Sequence, residues 1–423
     1  MNPARSAPAV VSITAFASVN RFERSRRTYR TGGVNLPATV LWVDNWGELA
    51  GGGQRSLLEI VTRLDRTQFR PVVVCGAEGS LVHALRRQGT TTYVVEMPTL
   101  KRNWAAQRTA VAALRDLVAK EQVHLIHANA MRAALYCVRA ARPLCTPVIA
   151  HVRVTRRGWP WEWWLDQYLA WHCRMILANS HTVARRFRWC VREASVRVLY
   201  NGIDPEPFDR ADGSAFRARL GIPSIAPLVG IVGMLEPRKG HRVLFEAFQT
   251  VVKRSPDARL VVAGDEPPGG NGYRRALEAE VVERGLGSRV VFTGQLEGIS
   301  AFMAAVDVVA FPVVQPEGFG RVIIEAYAAR RPVVASRLGG ICELIEDRLT
   351  GFLVPPRDAS ALAEAILDLL DDPALRAKLG EAGRRRVEAH FSLDAMIHQL
   401  TASYHEVLSS RGGREGEGYR ESP

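Results

Sequence analysis

Short apolar runs alternate with amphipathic stretches along most of this chain. Runs at Thr39–Val43, Pro71–Cys75, Thr92–Val95, Val123–His127, Val148–His151, Met175–Ala178 and Val196–Leu199 have the length and β-branched content of buried strands. Helical periodicity separates most of them, for example over Gln54–Leu64, Leu81–Arg87 and Ala105–Lys120. The rhythm pauses at the turn-rich Asn201-Gly202-Ile203-Asp204-Pro205-Glu206-Pro207. It resumes at Leu228–Val232, Leu260–Ala263, Val290–Phe292, Val308–Phe311 and Val333–Ala335. Such βα alternation predicts an α/β protein of two doubly wound halves, with ligands at the carboxyl ends of the strands. Helices over Ala359–Leu370, Pro373–His390 and Ser392–Leu408 close the pattern. The last has Ser392 as N-cap and apolar positions at Leu393, Met396, Ile397, Leu400 and Tyr404, which suit a strap back onto the first half.

The predicted organisation is therefore a basic, disordered tail over 1–37, a first half over 38–205, a second over 206–391, a crossing helix over 392–410 and a disordered tail over 411–423. At 423 residues each half is large enough to bury a core without disulfides. The six cysteines form no C-x-x-C pair, which fits a reducing, cytoplasmic setting and argues against a zinc ribbon. No apolar run reaches the roughly 18 residues of a spanning helix. Ala7–Val19 is weakly hydrophobic and runs into the basic stretch Arg21–Arg30, which reads as a tail rather than a secretion signal.

Charge changes the picture in one place. The formal net charge is +13, and between Lys101 and Tyr200 there are 17 Lys or Arg against five Asp or Glu. Nearly the whole imbalance sits there, so an anionic partner is expected: a membrane surface, a lipid phosphate or an acidic glycan. Nucleic acid has the same sign of charge but no recognition motif supports it. The same region carries Arg153-Val154-Thr155-Arg156-Arg157-Gly158-Trp159-Pro160-Trp161-Glu162-Trp163-Trp164. Tryptophan beside arginine suits a bilayer headgroup region. The helical spacing of Trp164, Tyr168 and Trp171 instead predicts inward packing for the helix itself, leaving Trp159 and the arginines for membrane or acceptor contact.

Chemistry concentrates in the second half. In Glu317-Gly318-Phe319-Gly320-Arg321-Val322-Ile323-Ile324-Glu325 a carboxylate opens a Gly-flanked turn, and a second lies eight residues on, inside a predicted helix over Arg321–Arg330. Both acids can then face one cleft. Gly318 and Gly320 let backbone N–H groups approach an anion at the helix N-terminus. Gly233-Met234-Leu235-Glu236-Pro237-Arg238-Lys239-Gly240-His241 follows a strand and offers two adjacent cations for a diphosphate. In the first half, Gly51-Gly52-Gly53 precedes a helix, and His127 and His151 end neighbouring strands, where they would face the crevice. The dinucleotide fingerprint, the P-loop, G-x-S-x-G and D-x-D are all missing. Leaving-group charge would then be met by Arg, Lys and helix N-termini, with no metal or other cofactor.

Together these motifs resemble glycosyltransferase family 4, the retaining, nucleotide-sugar-dependent enzymes of the GT-B fold. Further pieces are Gly264-Asp265, Ala305-Val306-Asp307-Val308, Arg331-Pro332-Val333-Val334-Ala335-Ser336, Gly339-Gly340-x-x-Glu343, Gly351-Phe352-Leu353-Val354 and Ala178-Asn179-Ser180. The resemblance implies that Glu325 binds the ribose, that Glu317 contacts the donor sugar with backbone N–H groups of Gly318, Phe319 and Gly320, and that Arg238 and Lys239 hold the diphosphate. It makes His151 the active-site histidine, and Gly52, Gly53 and Gly264 part of the donor site. His127, Asn129, Arg153 and Arg156 are the acceptor-side candidates. One departure stands out: the family often has Arg after the glycine where this chain has Met234, so Arg238 carries more of the diphosphate. The implied partners are a nucleotide sugar and a glycan, lipid-linked or small-molecule hydroxyl acceptor, with a peripheral place on the inner membrane face. The rivals are an epimerase or hydrolase of the same architecture and a non-catalytic nucleotide-sugar binder.

Overall fold

The computed structural model describes residues 37–410 except 50, 100–102, 157, 192–193, 268, 271 and 297. Apart from Pro37, both expected tails, with Ala7–Val19 and Arg21–Arg30, lie outside the described residues, as does Arg157. Among the described residues, thirteen strands form two sheets, and every pairing is parallel. The first sheet contains β1 (Ala38–Asp44), β2 (Phe69–Cys75), β3 (Thr91–Val94), β4 (Leu125–Ala128), β5 (Val148–Val152), β6 (Met175–Ala178) and β7 (Ser195–Val198), in the order β3-β2-β1-β4-β5-β6-β7. The second contains β8 (Leu228–Val232), β9 (Arg259–Ala263), β10 (Val290–Gly294), β11 (Val308–Phe311), β12 (Val333–Ser336) and β13 (Gly351–Val354), in the order β10-β9-β8-β11-β12-β13. Both sheets reverse their winding beside the first strand of the half, between β1 and β4 and between β8 and β11. That is the switch point where an open parallel sheet leaves a crevice at its carboxyl edge.

Strands buried on both faces explain why the apolar runs read as continuous rather than alternating. Helices Trp104–Lys120, Met131–Ala141 and Pro160–His172 share one core with the first sheet. Helices Gly52–Arg63 and Ser80–Arg87 cover its other face together with the last helix, Leu393–Ser409. Ser392 caps that last helix by accepting the N–H of Ala395, and Leu393, Met396, Leu400, Tyr404 and Val407 pack against Trp42, Phe69 and Leu57. The chain crosses between the halves twice, side by side: Ile203 exchanges backbone hydrogen bonds with Phe391 and Leu393. Among the described residues no helix is long and apolar enough to cross a membrane.

Two expectations change. The strand β13 was not among the predicted runs, because four residues opening on Gly351 and closing at Pro355 carry too little pattern. It completes the outer edge of the second sheet. The tryptophans of the Pro160–His172 helix do not pack inward. Trp164 does stack on Tyr168, with ring centroids 5.3 Å apart, but the stripe faces out. Glu162, Leu165, Asp166, Leu169 and Ala170 form the inner face. A helix apolar on both sides gives a periodicity that cannot say which side meets the core.

Candidate functional site

A cleft of about 760 Å³ opens between the two halves at the carboxyl ends of their strands. It falls within the size of a nucleotide or cofactor site. Of the residues singled out from sequence, Gly52, Gly53, Asn129, Arg153, Arg238, Lys239, Gly264, Glu317, Phe319, Gly320 and Glu325 line it. Met234 lines it too, where the family resemblance expects a cation.

The second half builds one wall from matched charges. After β8 the chain turns through Pro237–Lys239, and both Arg238 and Lys239 donate to the same oxygen of Glu317. Arg238 also pairs with Glu236. Burial alone would raise the Glu317 pKa; Lys239 and then Arg238 outweigh it and hold the carboxyl below its usual range. Gly320 adopts a left-handed φ of 96° and opens the helix Arg321–Ala328. One turn on, Arg321 donates to Glu325 at 2.9 Å and also pairs with Glu59 of the first half. Burial works against the Arg321 charge, but Glu59 and Glu325 together raise its pKa. Both acids of the spaced pair thus share the cleft with both cations, as the spacing predicts.

The first half builds the opposite wall from neutral partners. Arg153, just past β5, donates to the Asn129 carbonyl oxygen at 3.0 Å, to that of Asn201, and to the Ser56 hydroxyl. No carboxylate pairs with it among the described residues. Burial pushes its pKa down to about 9, against a pull from Asp44. Asp44 ends β1 fully buried and accepts from Trp46 N–H, the Gln54 amide and the Asn129 amide at 2.6 Å.

Behind Arg153 lies a directed chain of hydrogen bonds. A guanidinium only donates, so Arg153 Nη2, 3.2 Å from His151 Nδ1, requires that nitrogen to accept. His127 Nε2, 3.2 Å from the same nitrogen, must then carry its proton. Burial, with Arg153 adding to it, pushes both histidine pKa values well down, so both rings are neutral. His127 Nδ1 therefore accepts, and the Tyr404 hydroxyl donates to it at 2.8 Å. The outcome is a single tautomer of His151 with its proton on Nε2, a buried atom without a partner.

Four sequence expectations need correction. His151 and His127 do not face the crevice: both are fully buried, His127 stacked on Trp42 with centroids 3.8 Å apart. Their rings lie on the face covered by the last helix, so a strand end alone did not fix their direction. Arg156 does not line the cleft. It pairs with the buried Asp166, which Arg186 also holds, and lies 3.5 Å over the Trp163 ring. A buried carboxylate demands that pairing. Gly318 does not line the cleft either. A Cβ there would come 2.2 Å from the Arg153 carbonyl oxygen, so this glycine lets the two halves touch.

Several residues escaped the sequence reading. Arg321 had a local signal, four residues before Glu325 on one helix. Asp44, Glu59, Asn201 and Tyr404 had none, because their partners lie far away in sequence. Glu343, quoted only within a motif, joins the halves: its carboxylate accepts from His181 N, from Thr182 N and Oγ1, and from the Tyr200 hydroxyl. Among the described residues no group of three His, Cys, Asp or Glu has the arrangement of a metal site.

Family models match the two halves in turn. Residues 50–207 match "Glycosyltransferase Family 4" and residues 226–372 match "Glycosyl transferases group 1". An alpha-D-kanosaminyltransferase of Streptomyces kanamyceticus is 36% identical over 239 residues, 55% of this chain and 60% of that protein. A GDP-mannose-dependent mannosyltransferase of Corynebacterium glutamicum, acting on a monoacylated phosphatidylinositol monomannoside, is 35% identical over 48% of this chain and 54% of its own length. The match thus spans little more than half the length of these curated relatives. The crystal structure of Anabaena HepE in complex with UDP-glucose superposes with a TM-score of 0.77 at 26% identity, over 87% of this chain and 99% of that one. With its paired parallel sheets and the cleft between them, the chain belongs to the family-4 glycosyltransferases and has their GT-B fold.

Proposed function

We propose that this protein transfers a hexosyl group from a nucleoside-diphosphate sugar to an acceptor hydroxyl, with retention and without a metal ion. One observation carries the reading: two carboxylates and two cations, contributed by separate segments, meet in a single interlobe cleft of nucleotide-sugar size. Arg238 and Lys239 take the diphosphate and release Glu317 to the sugar hydroxyls. Glu325 accepts from the ribose, and the first turn of the Arg321–Ala328 helix offers N–H groups to the phosphates. The departing phosphate accepts the acceptor proton as the hydroxyl attacks the same face of the sugar, so no protein nucleophile is needed. His151, buried behind Arg153, accepts from that guanidinium on Nδ1 and so helps hold it at the cleft wall. Water is excluded as they close.

HepE holds UDP-glucose, while the Corynebacterium relative is named for GDP-mannose, so the base is a matter for experiment. The lipid acceptor in that relative's name, and the basic first half here, support an acceptor carried on a glycan or lipid, in cell-envelope or polysaccharide synthesis. The protein would then work peripherally on the cytoplasmic face of a membrane. A thermal-shift panel of UDP-, GDP- and ADP-sugars tests the donor site, since a ligand of the native state raises the melting temperature. One donor class should stabilise strongly, with chelator present. Product analysis then follows the anomeric configuration. No stabilisation by any nucleotide sugar overturns the reading. A free sugar or an epimer formed without acceptor returns it to the hydrolase or epimerase rivals.

A further inference from the structure

Packing leaves the tryptophans unexplained. The chain has nine, and Trp42 alone is buried. Trp46 belongs to the cleft. The other seven fall between 104 and 189, and their exposure runs from 48% at Trp163 to 76% at Trp104. Contiguous apolar surface of this kind marks an interaction site.

Most of it is one patch. On the Pro160–His172 helix, Trp161, Trp164, Tyr168 and Trp171 follow at intervals of three and four, which makes one outward stripe. Trp159 leads into it. Trp189 joins from the next segment, which Gln167 ties to the helix by bonding Val191 through both its backbone groups. Val191 is itself 70% exposed. The helix therefore buries one apolar face in the core and shows another to solvent.

Cations border this apolar stripe. Arg156 covers the Trp163 ring, and Arg188 lies 4.5 Å from the Trp189 ring centroid, with Arg185 exposed beside it. The seventh exposed tryptophan, Trp104, lines a hollow of about 390 Å³ with Arg108, Arg115 and Arg139. None of these three arginines forms an ion pair among the described residues. That hollow lies between the two neighbouring helices, which share the same core beneath them. Across 101–200 the surplus of positive charge is twelve.

We propose that this face is a docking surface for an anionic lipid bilayer, with tryptophans seated at headgroup depth and arginines on lipid phosphates. The occupant follows from charge complementarity: outward indoles bordered by guanidiniums, those of Arg108, Arg115, Arg139, Arg185 and Arg188 forming no ion pair among the described residues, match an apolar layer beneath a negative one. Position agrees. Arg153 and Val154 line the cleft, and five residues beyond Val154 the chain stands at Trp159 on the exposed surface. An acceptor held in the bilayer would meet the cleft along that edge. The proposal rests on the reading of a membrane-borne acceptor and names the surface that serves it.

Flotation of the full chain with phosphatidylglycerol–phosphatidylcholine vesicles tests it, with phosphatidylcholine vesicles alone as control, at low and high salt. Co-flotation should require the anionic lipid, weaken at high salt and be accompanied by a blue shift of tryptophan emission. W161S/W164S/W171S should lower binding about tenfold or more, a loss on the scale of several exposed indoles leaving an interface; R185E/R188E should do the same at low salt. Both variants should keep the parent's thermal shift with nucleotide sugar, which separates this proposal from the donor-site reading. Three results overturn it: no flotation at low salt, flotation indifferent to the triple substitution, or a dimer in solution that the triple substitution makes monomeric. The last would assign the face to a second copy of the chain.

Discussion

The two walls of the cleft hold their charge in opposite ways. On the second half, Glu317 is shared by Arg238 and Lys239, and Glu325 is clasped by Arg321. On the first half, Arg153 keeps its charge among amides, a hydroxyl and an imidazole. A matched wall is settled before a ligand arrives, and a diphosphate must compete with Glu317 for its cations. An unmatched wall attracts an anion from the start but carries the cost of a desolvated guanidinium, visible in its depressed pKa of about 9. On the proposed reading, the second half would exchange partners on binding, whereas Arg153 in the first half would meet an anion without giving up a carboxylate.

The largest effect should come from breaking the matched wall. On the proposed reading, Lys239→Ala removes a cation aimed at charge that develops on the leaving group. It should lower kcat/KM by about 10² to 10³, the scale for losing one such group. The melting temperature should move little, because Arg238 still holds Glu317. Steady-state kinetics beside a thermal melt checks both. Transfer unchanged by the substitution would sink the exchange of partners proposed for this wall.

Next in size is the unmatched wall. Arg153→Gln keeps hydrogen-bonding capacity and removes the charge. Nucleotide-sugar affinity should fall about tenfold or more, as for a lost charge-assisted bond, while stability holds or rises because a poorly solvated cation is gone. Calorimetric titration and a melt on one sample decide. A variant that binds donor as tightly as the parent but melts lower would make Arg153 part of the frame only.

The same contrast explains what the sequence could tell. Glu317, Glu325, Arg238 and Lys239 announce themselves through spacing, glycine turns and charge, because the matched wall is built from two short segments. The parallel, doubly wound architecture was likewise legible in the alternation of runs, but the strand order was not. The neutral wall was not. Asn129, Asn201 and Ser56 meet Arg153 from three separate loops or helices, with Asp44 behind Asn129, and nothing local in a lone Asn or Ser says so. His151 and His127 were found, but their facing was misread, because the ring direction depends on a helix that arrives some 250 residues later through Tyr404. The outward tryptophan stripe was misread for the complementary reason: periodicity reports a face without naming its neighbour.

Acidification should sharpen the comparison with a smaller effect. Unfolded, a histidine binds its proton near pH 6.5; in the folded chain burial holds His127 and His151 well below that, and burial with Lys239 nearby takes His241 to about 4. The unfolded state then binds more protons below 6.5, so stability is complete above that value and falls as the pH drops through it. For His241 alone the loss by pH 5 is about 2 kcal/mol, at 1.36 kcal/mol per unit. Glu317 acts in the same direction at lower pH: its contribution is complete above the ordinary carboxylate range and is lost only as pH falls below it. Urea denaturation at pH 7.5, 6 and 5 should show a midpoint that declines with acid before any carboxylate protonates. A flat profile down to pH 5 would mean that the buried rings are protonated in the fold.

The smallest effect probes the frame itself. Tyr404→Phe keeps the packing of the last helix against Trp42 and Phe69 and removes the donor to His127 Nδ1. A buried acceptor left bare costs about 1–3 kcal/mol, so the unfolding free energy should fall by that amount and the midpoint with it. The rate should change by less than about tenfold, since Arg153 still donates to His151 Nδ1 and keeps the proton on Nε2. Nitrogen-15 shifts of the histidine rings read this directly. In the parent, both Nδ1 atoms should resonate as unprotonated acceptors, and in the variant His151 should keep that signature. If His151 Nδ1 carries the proton in the parent, the chain of bonds runs in reverse, and Arg153 loses the imidazole acceptor behind the cleft wall. If only the variant shows that change, Tyr404 rather than Arg153 sets the direction, and the frame reaches across the molecule to the strap.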